Sequence, residues 1–138
     1  MSQENVEFAQ SVFGRWNAGE REFPDEEIDP DVVIVSRILG EPARGRAGVR
    51  RYLREIDEQF DEWTMAIEDW RDLGDRVVAL GEIRLHGRRS GVAMDQPVGI
   101  LFEIRGGRLL RFETFLDEPG DALKAARRHA PLEEDQSQ

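Results

Sequence analysis

ILFEIRGGRLLRFETF, residues 100–115, has the composition of a β-hairpin. Branched and aromatic side chains, which strands prefer, stand on both sides of Gly106-Gly107. Two adjacent glycines accept the positive φ angles that a two-residue hairpin turn needs. The stretch therefore predicts two antiparallel strands, over about residues 91–105 and 108–117.

The residues before this hairpin predict further strands. Residues 76–88 have the pattern of a long strand, and Trp63, Met65 and Ile67 alternate with polar or small side chains. Strands adjacent in sequence usually pair, so the four strands predict an antiparallel meander. Trp63 and Trp70 are an odd number of residues apart. An unbulged strand would therefore place them on opposite faces, with one of them at a dimer partner.

Helices flank these strands in the sequence. Apolar side chains recur at helical spacing from Val6 to Trp16 and again over residues 46–60, and an alanine-rich segment at 119–129 predicts a closing helix. Pro24, followed by acidic residues, favours a short helical turn. The β-branched run that follows predicts a strand over residues 31–39.

This order of elements predicts a single α+β domain over residues 1–130, with an acidic, disordered tail at 131–138. We expect a strongly curved antiparallel sheet that wraps around the helices as a cone and encloses a pocket. Residues 76–88 carry apolar side chains at both odd and even positions, so both faces of the sheet need a cover. A homodimer formed through the outer face would supply the second cover.

The composition excludes several classes of protein. The 138 residues carry a formal net charge of −10, and neither nucleic acid nor an anionic membrane surface is expected to bind so acidic a chain. The chain has no cysteine and only two histidines, which argues against disulfides, a thiol nucleophile and a metal site. No apolar run is long enough to span a membrane, and the N-terminus lacks the features of a signal peptide. We therefore expect a cytoplasmic protein without a cofactor.

Five segments, taken in order, have counterparts in a known family: MSQENVEFAQSVFGRWNAGE (1–20), DPDVVI (29–34), GRAGVRRYLREIDEQF (45–60), DLGDRVVALGEIRLHGRRSG (72–91) and FEIRGGRLLRFETFLDEPGDALKAA (102–126). Together they resemble the SnoaL-like proteins of the nuclear transport factor 2-like superfamily. The resemblance implies a cone-shaped α+β barrel with an apolar pocket. Relatives include polyketide cyclases, ketosteroid isomerases, limonene epoxide hydrolases, scytalone dehydratases and non-enzymatic domains, so it implies a fold more than a function.

The residues that match the catalytic positions of ketosteroid isomerases do not suit that chemistry. Arg37 matches the carboxylate base, and a guanidinium stays protonated and cannot act as a base. Val12 and Ile100 match the two hydrogen-bond donors, and neither side chain has a polar atom. The acid of polyketide cyclases matches the same region as Ile100. The resemblance therefore implies neither isomerase nor cyclase activity.

The resemblance to limonene epoxide hydrolases implies a different candidate site. Their Arg-x-Asp matches Glu82-x-Arg84, with the charges in reverse order, and their second Asp matches Thr114. In such a site Glu82 would activate a water, Arg84 would polarise an oxygen and Thr114 would hold the water. The alternative is a structural ion pair between Glu82 and Arg84 or Arg37.

We expect Glu82, Arg84 and His86 to share the pocket face of the sheet with apolar residues of the next strands. Arginines in a cavity could receive an anionic group such as a carboxylate. An exposed or dimer-edge position is the alternative for His86. The predicted pocket residues are Trp16, Arg37, Phe60, His86, Ile100, Phe102 and Phe112.

Three functions remain open at this point. The favoured one is binding of a small hydrophobic molecule that bears an oxygen or a carboxylate, because the isomerase residues are missing. The second is an enzyme of the epoxide hydrolase-like or dehydratase-like type. The third is a structural dimer whose cone is filled by side chains. The expected partners are a small-molecule ligand and a second copy of the chain.

Overall fold

The order of helices and strands follows the predicted order, except that a two-residue strand, which was not predicted, precedes the second long helix. A computed structural model describes residues 2–36, 40–116 and 118–128, so the predicted tail at 131–138 lies outside the described residues. None of the described helices combines the length and the hydrophobicity that a membrane span requires. The elements are α1 (Ser2–Asn17), a short 3-10 helix (Asp25–Glu27), β1 (Ile28–Val35), β2 (Ala43–Arg44), α2 (Gly45–Gln59), β3 (Phe60–Asp72), β4 (Arg76–Gly87), β5 (Ala93–Arg105), β6 (Arg108–Phe115) and α3 (Asp121–Arg128).

The strands form one six-stranded sheet in the order β2-β1-β6-β5-β4-β3. The strands β3 to β6 pair antiparallel in sequence order, which confirms the predicted meander and the α+β class. However, β1 pairs in parallel with β6, so the sheet is mixed and the expectation of an antiparallel sheet is wrong at this pair. Parallel neighbours need a long crossover, and α2 together with β3, β4 and β5 provides one here.

Helices α1 and α2 cover one face of the sheet, which we call the inner face. Alternate residues of β4 and β5, among them Val77, Ile100 and Phe102, point to this face and are fully buried. The ring of Phe13 on α1 lies 5.3 Å from that of Phe102, centroid to centroid, and the two rings are perpendicular. The ring of Phe112 on β6 is also nearly perpendicular to that of Phe102, with 5.2 Å between the two centroids. The contact of Phe13 with Phe102 stabilises the packing of α1 on the sheet, and the contact of Phe102 with Phe112 stabilises the pairing of β5 with β6.

The opposite face, which we call the outer face, is partly covered by α3. Small alanine side chains let this short helix approach the strands closely. Because α3 supplies part of the cover within one chain, the apolar outer face alone no longer requires a second copy. Homodimerisation stays a prediction. The residues in contact are Val78, Leu101 and Phe115 of the sheet and Ala122, Ala125 and Ala126 of α3.

A bulge in β3 brings two tryptophans to the same face. The register between β3 and β4 shifts between Ile67 and Asp69. As a result Trp63 and Trp70 both belong to the core on the inner face, and the ring of Trp70 lies 5.7 Å from that of Phe13. The prediction that the two tryptophans lie on opposite faces is wrong because one extra residue restores the phase of the strand.

The end of α1 is hydrogen-bonded to the exposed edge of β3. The indole N–H of Trp16 donates to the carbonyl oxygen of Trp63 at 2.7 Å. The side chain of Asn17 donates to the carbonyl oxygen of Met65 at 2.8 Å and accepts from its backbone N–H at 3.1 Å. The Asn17 amide thus takes the place of a neighbouring strand, which protects this part of an otherwise open sheet edge.

The close contact between β4 and the bulge leaves no room for a side chain at Gly81. A Cβ at this position would overlap the carbonyl oxygen of Ala66 and lie 2.7 Å from the Cα of Ile67. Because both are backbone atoms, we expect Gly81→Ala to lower the free energy of unfolding by about 1–3 kcal/mol, the usual cost of overpacking. Urea unfolding followed by tryptophan fluorescence measures this change.

Gly14→Ala is the matched control. Gly14 is exposed on α1, and nothing lies within 4 Å of a Cβ added there. Alanine is the better helix former by about 1 kcal/mol, so this variant should be more stable than the wild type. Equal stability of the two alanine variants would contradict the role assigned to Gly81.

Candidate functional site

A cavity of about 80 Å³ lies between α1, α2 and the inner face of the sheet. Its wall contains one charged side chain, that of Glu27, and is otherwise aromatic or aliphatic. The aromatic members are Phe8, Phe13, Trp16, Phe23, Tyr52, Trp63 and Phe112, and the aliphatic members are Val12, Ile28, Ile34, Val49, Leu53, Ile56, Met65 and Leu109.

The spacing of apolar residues in the two helices explains this wall. On α2, Val49, Tyr52, Leu53 and Ile56 recur at intervals of three and four residues and so form one apolar stripe. The four α1 residues of the wall, Phe8 to Trp16, follow the same spacing. Both stripes face the sheet, and the cavity is the space that their side chains leave unfilled.

Glu27 is held at the wall by a residue of α1. Its Oε1 accepts a hydrogen bond from Arg15 at 2.8 Å, and both side chains are partly buried. The Arg15 guanidinium also lies 4.9 Å above the ring centroid of Phe23. A single arginine therefore fixes both an aromatic and an acidic member of the wall, and it balances the charge of the acidic one.

Tyr52 combines a hydrophobic ring with a buried hydroxyl. Burial raises the pKa of Tyr52 to about 12, and a hydrogen bond with Ser36 acts in the opposite direction. At neutral pH the hydroxyl is therefore protonated and uncharged, so Tyr52 adds no charge to the wall.

The structure places the predicted pocket residues in three different environments. Trp16 and Phe112 line the cavity. Ile100 and Phe102 are fully buried on the inner face behind it, and Phe60 packs against this core with its ring 5.0 Å from that of Trp63. His86 is not part of the cavity wall; it lies on the outer face, where its Nδ1 is 2.6 Å from Oδ1 of Asp61. Arg37 lies outside the described residues.

The predicted catalytic residues are not brought together. Thr114 pairs across the strands with Ile100, is fully buried and lies on the inner face. Glu82 and Arg84 are exposed on the outer face, where Arg84 pairs with Asp95 at 3.3 Å. The sheet thus separates the two charged residues from Thr114.

The pairing register explains this separation. Ala79 lies opposite Ile100, so the inner face of β4 comprises the odd-numbered residues, and Glu82, Arg84 and His86 point the other way. The expectation that these three residues share a face with Ile100 and Phe102 is therefore wrong. Odd-numbered and even-numbered positions of β4 both carry apolar side chains, so the sequence pattern does not show which set faces the core. Glu27 and Tyr52 line the cavity but were not among the predicted pocket residues, although Tyr52 belongs to the predicted apolar stripe of α2.

This chain is similar to known proteins in sequence and in fold. A family model described as a SnoaL-like domain matches residues 9–112. No curated protein matches the chain. Among solved structures, TerC co-crystallised with polyporic acid is 22% identical with a TM-score of 0.71, over 83% of this chain and 92% of TerC.

Two further structures extend the comparison over most of the chain. A proposed SnoaL-like polyketide cyclase from Jannaschia sp. CCS1 is 21% identical over 94% of each chain, with a TM-score of 0.72. An NTF2-like protein of unknown function from Burkholderia pseudomallei K96243 is 18% identical, over 93% of this chain and 98% of its own, with a TM-score of 0.74. These likenesses support the fold that the sequence resemblance implied.

Tyr52 is the one tyrosine of the chain, so its ionisation can be followed without interference from another. We expect an ultraviolet absorbance titration to give a midpoint near 12 for the native protein and near the ordinary value of about 10 in denaturant. Because folding raises the pKa of Tyr52, its neutral hydroxyl contributes fully to the free energy of unfolding below about pH 10. This contribution is lost as the pH rises toward 12.

The control for this titration is Tyr52→Phe. Without the ionisable hydroxyl, the variant should lose the absorbance change and should unfold at a higher pH than the wild type. A native midpoint near 10 would contradict the burial of the hydroxyl.

Proposed function

Because the chain belongs to the SnoaL-like domain family, we propose that it binds a small hydrophobic molecule bearing an oxygen or a carboxylate in the cavity between α1, α2 and the sheet. The composition of the wall carries this proposal, since Glu27 is its one charged member. Ligand sites are commonly of this kind, with a mostly apolar wall and a small number of polar groups that orient the ligand.

The apolar wall of the cavity favours an apolar occupant. Protein interiors leave few voids larger than a water molecule. Apolar surface left in contact with water costs about 25 cal/mol per Å², and the wall of this cavity is almost entirely apolar. Water gains little from such a wall because it finds few hydrogen-bond partners there. An apolar group that fills the space recovers this free energy.

TerC supports the choice of ligand class for the first experiments. It has the same fold as this chain and was co-crystallised with polyporic acid. We therefore take organic acids and their neutral oxygenated analogues as the molecules to test.

An enzyme is the second candidate function, because Glu27 places a carboxylate in the wall. A carboxylate within hydrogen-bond reach of a bound molecule can transfer a proton. An epoxide hydrolase-like or dehydratase-like reaction in this cavity would depend on Glu27, since Glu82 and Arg84 lie on the other face of the sheet. Turnover by the wild type that Glu27→Gln abolishes would favour this candidate, and unchanged ligand would favour binding alone.

Filling the cavity with a larger side chain should weaken binding. Leu53 on α2 lines the cavity and is partly buried. We expect Leu53→Trp to weaken the affinity for 1-octanol at least about tenfold, which corresponds to about 1.4 kcal/mol of binding free energy. Isothermal titration calorimetry measures the affinity.

Leu73→Trp is the matched control for this variant. Leu73 lies in the turn between β3 and β4, is 38% exposed and does not belong to the cavity wall. Its replacement should leave the affinity for 1-octanol unchanged. An equal loss of affinity in both variants, or no binding of 1-octanol to the wild type, would contradict the proposed site.

Native mass spectrometry of the freshly purified protein tests retention of a ligand and the predicted homodimer together. We expect twice the chain mass of 15.8 kDa and a reproducible extra mass that denaturation releases. The wild type and Leu53→Trp should differ in the extra mass and agree in subunit number. A monomer would contradict the homodimer, and equal extra mass in both proteins would contradict retention in this cavity.

A further inference from the structure

A groove of about 540 Å³ adjoins the cavity on the side of α2. It runs between residues 21–23 and the helix. Phe23, Ile28, Val49 and Leu53 line both the groove and the cavity, so the two spaces share an apolar wall. A molecule that extends from the cavity past these side chains enters the groove.

The groove differs from the cavity in its charged lining. Three arginines, Arg21, Arg50 and Arg54, and two acidic residues, Glu22 and Asp57, line it. The lining therefore carries more positive than negative side chains, in a chain whose formal net charge is −10. Which of these arginines can meet a ligand depends on the partners that each has in the fold.

Two of the three arginines already have partners in the fold. Arg50 forms an ion pair with Asp25. Arg21 donates to the carbonyl oxygen of Trp16 at 2.8 Å, stacks on the Trp16 ring at 3.7 Å and has Asp57 at 3.9 Å. These contacts hold the chain segment after α1 against α2, so both arginines have structural roles.

Arg54 is different, because it makes no hydrogen bond, ion pair or ring contact with any residue in the described part of the chain. It follows Leu53 directly on α2, so an apolar wall residue and a free guanidinium are neighbours. Guanidinium groups bind carboxylates through charge-assisted and often bidentate hydrogen bonds. A neutral alcohol would gain less from Arg54, and an ammonium group would be repelled by it.

We propose that the ligand is an amphipathic monocarboxylate whose apolar part fills the cavity and whose carboxylate lies in the groove at Arg54. The inference rests on the proposed binding function and adds the chemical class of the head group and the residue that recognises it. It also replaces Arg84 as a predicted partner of the carboxylate, since Arg84 lies on the outer face of the sheet.

Three octyl compounds separate the contribution of the ligand's head group to the affinity from that of its alkyl chain. Octanoate, 1-octanol and octylamine are titrated into the wild-type protein, Arg54→Gln and Arg51→Gln, with calorimetry at neutral pH and low salt. Arg51 is the matched control, because it is exposed on the same helix, does not line the groove and changes the net charge equally when replaced.

We expect octanoate to bind the wild type more tightly than 1-octanol, and octylamine to bind least tightly. Arg54→Gln should weaken octanoate about three- to fivefold, as expected for an exposed ion pair, and leave 1-octanol unchanged. Arg51→Gln should leave all three affinities unchanged. Added salt should reduce the advantage of octanoate in the wild type and not in Arg54→Gln.

The outcomes that contradict the inference differ from those that contradict the binding function. Equal affinity for octanoate and 1-octanol, an equal effect of Arg51→Gln and Arg54→Gln, or a preference for octylamine would overturn the role of Arg54 while the cavity still binds. Absence of binding by all three compounds would overturn the binding function itself, and the inference with it.

Discussion

Hydrogen bonds between the end of α1 and the edge of β3 fix the position of the helix that forms one wall of the cavity. Trp16 and Asn17 bind the backbone of Trp63 and Met65, and these contacts fix where the helix ends against the sheet. The apolar stripe of α1 then lies over the inner face, where the aromatic contacts of Phe13 hold it. The bond of Trp16 is buried, and it favours one arrangement because an unpaired polar group in the interior is costly. The pocket is thus a consequence of where α1 is anchored.

Those parts of the fold that depend on local patterns could be predicted from the sequence. The hairpin at Gly106-Gly107, the meander and the stripe of α2 all follow from the spacing of neighbouring residues. The phase of β4 could not be predicted, because Val77 and Val78 are equally apolar and one residue of slip exchanges the two faces. The bulge after Ile67 and the parallel pairing of β1 with β6 depend on contacts between distant segments, which the spacing of residues does not record.

The same distinction applies to the candidate site. Trp16 and Phe112 were predicted to line the pocket because they belong to apolar faces of their elements. Glu27 was missed because it lies in a stretch of many acidic residues, and only its contact with Arg15, twelve positions earlier, sets it apart. Glu82 and Arg84 have residue types suited to catalysis but point away from the cavity. Residue type therefore identified possible chemistry, and tertiary position decided which residues reach the pocket.

The cover of the outer face by α3 has a consequence for biosynthesis. The sheet residues Val78, Leu101 and Phe115 leave the ribosome before the alanines of α3 that pack on them. Until that helix docks, the sheet presents an apolar surface of the kind that recruits chaperones or promotes aggregation. The approach is also close, since a Cβ at Gly99 would overlap the carbonyl oxygen of Pro119 just before the helix. The outer face of the sheet is therefore completed by a segment that follows all six strands in the sequence, and a chain in which α3 is not docked would expose an aggregation-prone surface.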